Sequence, residues 1–461
     1  MKRIILLLAA LPLLFACAQK ETAVSLADFG GVPDGITLNT EAFAKAMDAV
    51  SSKGGGILNV PSGIWLTGPI TLKSGVNLHL ERGAVVVFDP DLDLYPVLDA
   101  NFEGVTTKRC LAPLNATGQK NIAITGEGIF DGNGQAWRAL KKSKASETLW
   151  KRYLAMGGYV TEDGNTWYPD KGFAKANATA DFNKPDPSLD ENEIKRFFRP
   201  ELVLIRECEG VLLEGCTFEN SPAWNIHLLW SKDIEVRNIT VRNPSYSQNG
   251  DGIDIDACDG VHLQGCSFDV GDDAICLKSG KDKEGRDKGL QSKNMLIEDC
   301  TVYAGHGGFV IGSEMSGGVS NIKVRNCTFI GTDVGLRFKS TRGRGGVVSD
   351  IDIENICMKD IIGDAVIFNL YYAGKAATDI DKDGNPVVAA MPVDETTPEF
   401  RDIRIKNVTC NSAGGAIYIN GLPEMPVKNV SFTDCIFRAV RGIEMYYTEN
   451  VTQENVKFIQ Q

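Results

Sequence analysis

Six side chains in four short stretches have the types and spacing to do chemistry. They are Asp251, the pair Asp272 and Asp273, His306, and the pair Arg337 and Lys339. A set of carboxyls equips a site for acid–base work on a C–O bond. One in its acid form protonates the leaving oxygen, and another activates water or attacks carbon. Three clustered carboxyls repel one another, which keeps at least one proton in place near neutral pH. A guanidinium and an ammonium two residues apart on a strand point the same way and form a grip for an anionic group. Each stretch alone has a plain structural reading: Asp-Asp and Asn249-Gly-Asp251 are ordinary turn sequences, and Arg-x-Lys is an ordinary exposed strand face. What gives them weight is where they fall in a repeat.

One pattern recurs along the chain: a polar residue or Gly, a short alternating apolar strand, then a second polar residue or Gly. Starts at Gly210, Asp233, Gly260, Asn294, Asn321 and Asp350 are separated by 23, 27, 34, 27 and 29 residues, with weaker copies at Asp402 and Asn429. Strands this short cannot bury their own apolar face, so the units must stack. β-Branched residues dominate and Gly interrupts each unit, which argues against helical repeats. The spacing predicts a parallel β-helix; propeller blades would need longer, four-stranded units. Asp251 lies 18 positions after its unit's start, Asp272 and Asp273 lie 12 and 13 after theirs, His306 12, and Arg337 and Lys339 16 and 18. Stacked strands about 4.8 Å apart then present all six groups on one sheet face.

The cysteines obey the same repeat. Cys216, Cys266, Cys300, Cys327 and Cys435 each sit six positions after a start, which predicts a column of reduced thiols inside the coil, with one or two disulfides at most among the others. The helical pattern within Thr37 to Ser52, with Phe43, Met47 and Val50 on one face and Gly54-Gly55-Gly56 beyond it, predicts a cap over the N-terminal end. Residues 135–200 and 371–400 break the period and read as projecting loops. The 461 residues divide into a leader, 1–17, and one domain, 18–461.

The leader has Lys2 and Arg3 before an apolar run to Phe15, then Ala16-Cys17. This resembles a bacterial lipoprotein signal, with Cys17 as the lipidated residue. It predicts export and a lipid anchor in the periplasm or at the surface of a Gram-negative cell. The net charge is −12, and removing Lys2 and Arg3 carries it to −14. An acidic chain is a poor partner for nucleic acid. An anionic sugar polymer would need a locally basic cleft, which the Arg-x-Lys pair offers. A monomer is the default expectation.

Asn249-Gly250-Asp251, Gly271-Asp272-Asp273, Gly305-His306-Gly307 and Arg337-Phe338-Lys339, in that order, resemble the motifs of the polygalacturonases, glycoside hydrolase family 28. Ala27 to Gly35 and Gly68 to Ser74 resemble that family's opening coils, so the likeness covers nearly the whole mature chain. Gly250 and Phe338 depart from the usual Thr and Ile without removing a functional group. The resemblance implies a right-handed parallel β-helix that hydrolyses α-1,4-galacturonosidic linkages of polygalacturonate by inverting acid–base catalysis, with neither cofactor nor metal. It implies Asp272 as general acid, Asp251 and Asp273 as activators of water, and His306 as support for the acid. Arg337 and Lys339 would hold the sugar carboxylate, and Asn249 would contact substrate or position Asp251. The stretch Gly305 to Met315 and the long loops resemble exo-acting members. Residues 135–200 are the expected wall, with Trp150 or Trp167 either stacking on sugar or packing the loop. Tyr371 or Tyr372 would line the leaving side. A hydrolase of rhamnogalacturonan or substituted galacturonan, a pectate-lyase-like enzyme and a non-catalytic glycan-binding β-helix are the alternatives.

Overall fold

The computed structural model describes residues 23–178, 185–372, 382 and 389–461, so Cys17 lies outside the described residues. The chain winds into a right-handed parallel β-helix. A representative coil runs through the strands Ile253–Asp256, Asp259–Gln264 and Ser267–Asp269, and the next coil opens with Asp273–Lys278. Each strand pairs in parallel with its counterparts one coil before and one coil after.

The polar starts found in the sequence are corners. Asn121, Asp233, Asn294, Asn321, Asp350, Asp402 and Asn429 all have φ between 53° and 58°. That left-handed region costs most side chains energy, and Asn, Asp and Gly tolerate it; Gly210 and Gly260 fill the same position in their coils. A second corner follows five residues later, at Asn238, Asp299, Asn326, Asn355, Asn407 and Asp434. Stacked corners bond to one another: Asn321 Nδ2 donates to Asn294 Oδ1 at 2.7 Å, and Asn407 Nδ2 to Asn355 Oδ1 at 2.7 Å.

Inside the coil, like residues stack in rows. The register aligns Ile253, Ile275, Phe309, Leu336 and Val366, all fully buried. The next row includes Phe338 and Phe368, whose rings stack at 4.2 Å and 3°. Each such side chain contributes about 1.5–3 kcal/mol by leaving water. Cys266, Cys300 and Cys327 share one row, because Ser267 faces Thr301 and Thr301 faces Thr328. All eleven cysteines among the described residues are free thiols, so the disulfides allowed for are absent among them. Helix Thr40–Ser51 buries Phe43, Met47 and Val50 over the N-terminal end of the core.

Two segments decorate the coil. The hairpin Val97–Phe102 with Val105–Cys110 is antiparallel. Residues 135–200 are more than a loop: they contain helices Glu147–Ala155 and Lys171–Asn177 and a small antiparallel sheet. Their tryptophans mostly pack. Trp137 meets Tyr95 edge-on at 5.3 Å. Trp167 is 2% exposed and donates through Nε1 to Gly157 O at 2.7 Å, so it offers no face to a sugar. Trp150 is half-buried against the same small cluster.

Candidate active site

The site lies on the outer face of four consecutive strands: Ile253–Asp256, Asp273–Lys278, Gly307–Ile311 and Leu336–Lys339. Register puts Asp251 beside Asp273, since Ile253 faces Ile275 and Gly252 N bonds to Asp273 O at 2.9 Å. Asp273 in turn faces Gly307. One carboxylate oxygen from each of Asp251, Asp272 and Asp273 lies within 4.8 Å of the others. His306 Nδ1 sits 3.0 Å from Asp272 Oδ1, and His306 N donates to Asp272 O at 2.8 Å. Arg337 Nη1 donates to Asp273 Oδ1 at 3.1 Å, and Lys339 Nζ to Asp273 Oδ2 at 2.6 Å. Thus the six groups converge, with the carboxyls in the middle and the cations on one flank.

Environment separates the three acids. Burial raises Asp251 well above the ordinary carboxylate range, and Asp272, Asp254 and Asp273 add repulsion. Its Oδ1 is buried without a hydrogen bond inside the protein. Asp273 is as deeply buried, but Lys339 and Arg337 outweigh burial and hold it down at about 2. The surroundings therefore disfavour the charged form of Asp251 and favour that of Asp273. Asp272 stands at the mouth with a quarter of its side chain exposed. The hydrogen bond to Asp272 raises the pKa of His306 above that of a free imidazole. Three carboxylates this close are also a donor set for a dication. Both oxygens of Asp273 are already engaged by Arg337 and Lys339, so such an ion would face two fixed cations.

Around this centre the sequence-based expectations fare unequally. Asn249 is at hand, at φ 52°, but its Oδ1 accepts from the buried Arg199 at 3.0 Å rather than touching Asp251. Tyr371 turns into the core, with 7% exposure. Tyr372 is the ring beside the cations, with Lys339 Nζ 4.8 Å and Arg337 Cζ 5.8 Å from its centroid. Both follow the end of strand Ile361–Asn369, Tyr371 in an isolated bridge to Thr341 and Tyr372 in the turn after it.

Beneath the carboxyls lies a polar layer that the motifs do not announce. Lys278 Nζ reaches Glu314 Oε2 at 3.0 Å and Asp254 Oδ1 at 3.7 Å, and lies 4.9 Å from the centroid of Trp224. Burial raises Asp254 to about 8 despite Lys278 and His227. His227 sits between Glu201 at 2.9 Å and Asp256 at 3.7 Å. Burial alone would lower its pKa; these two acids lift it to about 9. Their positions are periodic, His227 facing Asp254 and Asp256 facing Lys278, and that register was the signal available in the sequence.

One coil toward the N-terminus the hairpin packs against the coil. Phe102 at the hairpin tip packs on Trp224 with centroids 4.4 Å apart. Lys281 N donates to Gly104 O at 3.0 Å, and a side chain at Gly104 would strike Lys281 N at 2.6 Å. Thr106 is bonded to Glu284 through both its backbone N, at 3.0 Å, and its hydroxyl. Trp224 precedes Asn225, whose N donates to Asp251 O at 3.1 Å. The hairpin is thus anchored immediately beside the carboxyl cluster.

Comparison with known proteins adds three findings. The family described as glycosyl hydrolases family 28 matches residues 186–456. Among curated relatives, a Vitis vinifera protein named "Probable polygalacturonase" is 29% identical over 91% of this chain and 75% of its own length. An exo-poly-alpha-D-galacturonosidase of Dickeya chrysanthemi is 30% identical over 86% of this chain, which spans 64% of that longer protein. Among solved structures, a hyperthermoactive exopolygalacturonase from Thermotoga maritima superposes with a TM-score of 0.75 at 30% identity, covering 95% of this chain and 92% of its own.

Proposed function

The chain belongs to glycosyl hydrolases family 28, and from that premise we propose that it trims galacturonic acid from the ends of polygalacturonate by acid–base hydrolysis of α-1,4 linkages. The carrying observation is the convergence of three carboxyls, one imidazole and two cations on one face, with the hairpin packed on its N-terminal side. The named function of the Dickeya and Thermotoga relatives agrees with removal from an end. The expected wall was the 135–200 insertion; the contact between Phe102 and Trp224 favours the hairpin in that role.

Asp272, at the mouth, protonates the leaving oxygen. His306 supplies the proton that restores it, through the 3.0 Å contact. Asp273, held anionic, accepts the proton of the attacking water, and Asp251 orients that water. Arg337 and Lys339 have more donors than Asp273 consumes, and the rest bind the sugar carboxylate beside Tyr372. A two-carboxylate inverting pair stands roughly 6.5–9.5 Å apart with water between. The nearest oxygens here are closer, and a third carboxyl changes the geometry, because water is held between Asp273 as base and Asp251 as an orienting group. We take the reaction to be a single displacement with inversion. The leader is read as a lipoprotein signal, and Cys17→Ser should abolish incorporation of labelled fatty acid.

Product analysis on purified polygalacturonate and rhamnogalacturonan tests the reading. Free galacturonic acid from polygalacturonate as the sole early product supports it. A ladder of oligomers contradicts end trimming, and an ultraviolet-absorbing unsaturated product indicates a lyase. Asp272→Asn should retain binding and lose about 10²–10⁴-fold in turnover.

A further inference from the structure

We propose that Arg199, where the 135–200 insertion rejoins the coil, is a positioning residue that holds the turn carrying Asp251; this rests on the hydrolase reading above. Arg199 is 2% exposed. Its Nη1 donates to Pro222 O at 2.9 Å and to Gln248 O at 3.0 Å, and its Nη2 to Asn249 Oδ1 at 3.0 Å. Gln248 and Asn249 lead directly into Gly250 and Asp251. Asn249 has a left-handed backbone, φ 52°, a region that residues other than glycine seldom occupy. The guanidinium holds its side chain, while Asp251 O is fixed by Asn225 N at 3.1 Å and Asn243 Nδ2 at 3.3 Å.

The same turn supports the neighbouring motif. Gly271 N donates to Gly250 O at 3.2 Å, so displacement of the turn passes to Asp272 and Asp273. Arg199 also lies over Phe173, 5.9 Å from its centroid, and follows Phe197 and Phe198 in the apolar cluster of the insertion. One planar fork therefore ties three things together: the insertion, the coil at Pro222 and the catalytic turn. Lysine retains the charge but not a fork that can serve separated acceptors in one plane. Nothing in the geometry brings Arg199 to the reacting atoms, so its effect on the reaction passes through Asn249 and Gln248.

The test uses the full chain with Arg199→Lys, Arg199→Ala and Asn249→Ala, reading kcat and KM on oligogalacturonate beside thermal unfolding. A misplacement of about 1 Å costs on the order of 10²-fold in rate. Folded Arg199→Lys should lose roughly 10–100-fold in kcat with KM nearly unchanged, and guanidinium ion should restore part of the kcat of Arg199→Ala. Adding Asn249→Ala to Arg199→Ala should cost little more. Wild-type kcat in the folded lysine variant, a loss confined to KM, or no response to guanidinium overturns the inference. If both Arg199 variants fail to fold, Asn249→Ala decides, and unchanged kcat there overturns it. A wild-type protein that releases no galacturonate defeats the hydrolase reading and this inference together, whereas an active wild type with an equally active lysine variant defeats this inference alone.

Discussion

Replacing Lys339 by Met should move the acid side of the rate profile. Asp273 is held at about 2, where a free aspartate sits at 3.8. That difference favours the charged form by roughly 2–3 kcal/mol. Asp273 is 2% exposed, so solvent screening does not dilute the figure much. Lys339 makes the shorter contact, 2.6 Å, and Arg337 stays behind at 3.1 Å. With Lys339 gone, burial acts against one remaining cation, and the Asp273 pKa should climb by at least about one unit. Because Asp273 must be charged to take the proton from water, kcat on the acid side should fall earlier by the same amount. The assay is kcat against pH at saturating polygalacturonate, which keeps a weakened grip on the sugar, seen in KM, out of the comparison. Stability follows with the same sign. A depressed carboxyl contributes above its unfolded pKa and loses that contribution as pH falls toward its folded value, here from about 4 down to about 2. Acid unfolding of the variant should therefore begin at a higher pH. A folded, active variant whose acid limb overlays the wild type would refute the role given to Asp273.

Other outcomes follow from the same geometry. His306 has a raised pKa, so proton supply to Asp272 should fade as pH rises through it; His306→Gln should lower kcat about 10²-fold and erase that alkaline limb. Trimming the hairpin to a short turn between residues 99 and 108 should change early products from monomer to mixed oligomers, read by chromatography. Proton NMR of fresh product should show the anomer opposite to that of the substrate bond, and the retained anomer would reject single displacement. Met47→Ala, beneath the capping helix, should cost about 2–5 kcal/mol in denaturant unfolding and leave KM unchanged.

What the sequence disclosed was whatever repeats. Starts at Asn, Asp or Gly were visible because a corner at positive φ recurs in every coil. The six reactive groups were visible because a fixed offset from each corner becomes adjacency after stacking. Tyr371 and Tyr372 were not separable, since both lie past the end of strand Ile361–Asn369, where no alternation tells which faces out. Arg199 and Phe102 escaped notice for a different reason. They lie in segments that interrupt the repeat, where no period relates them to their partners Asn249 and Trp224. The insertion at 135–200 likewise hid its helices and its small apolar clusters.

The parallel coil also shapes how such a molecule can change its length. Rungs beyond Ile226–Leu229 on one side and Ile361–Asn369 on the other meet the reactive groups only through intermediate rungs. Gaining or losing one at either terminus would lengthen or shorten the rod without disturbing catalysis. One extra rung between Asp273 and Lys339 would drive them apart by a whole inter-strand step of about 4.8 Å, breaking the 2.6 Å hydrogen bond they share. Natural variation in size should therefore accumulate toward the two ends and spare that central stretch.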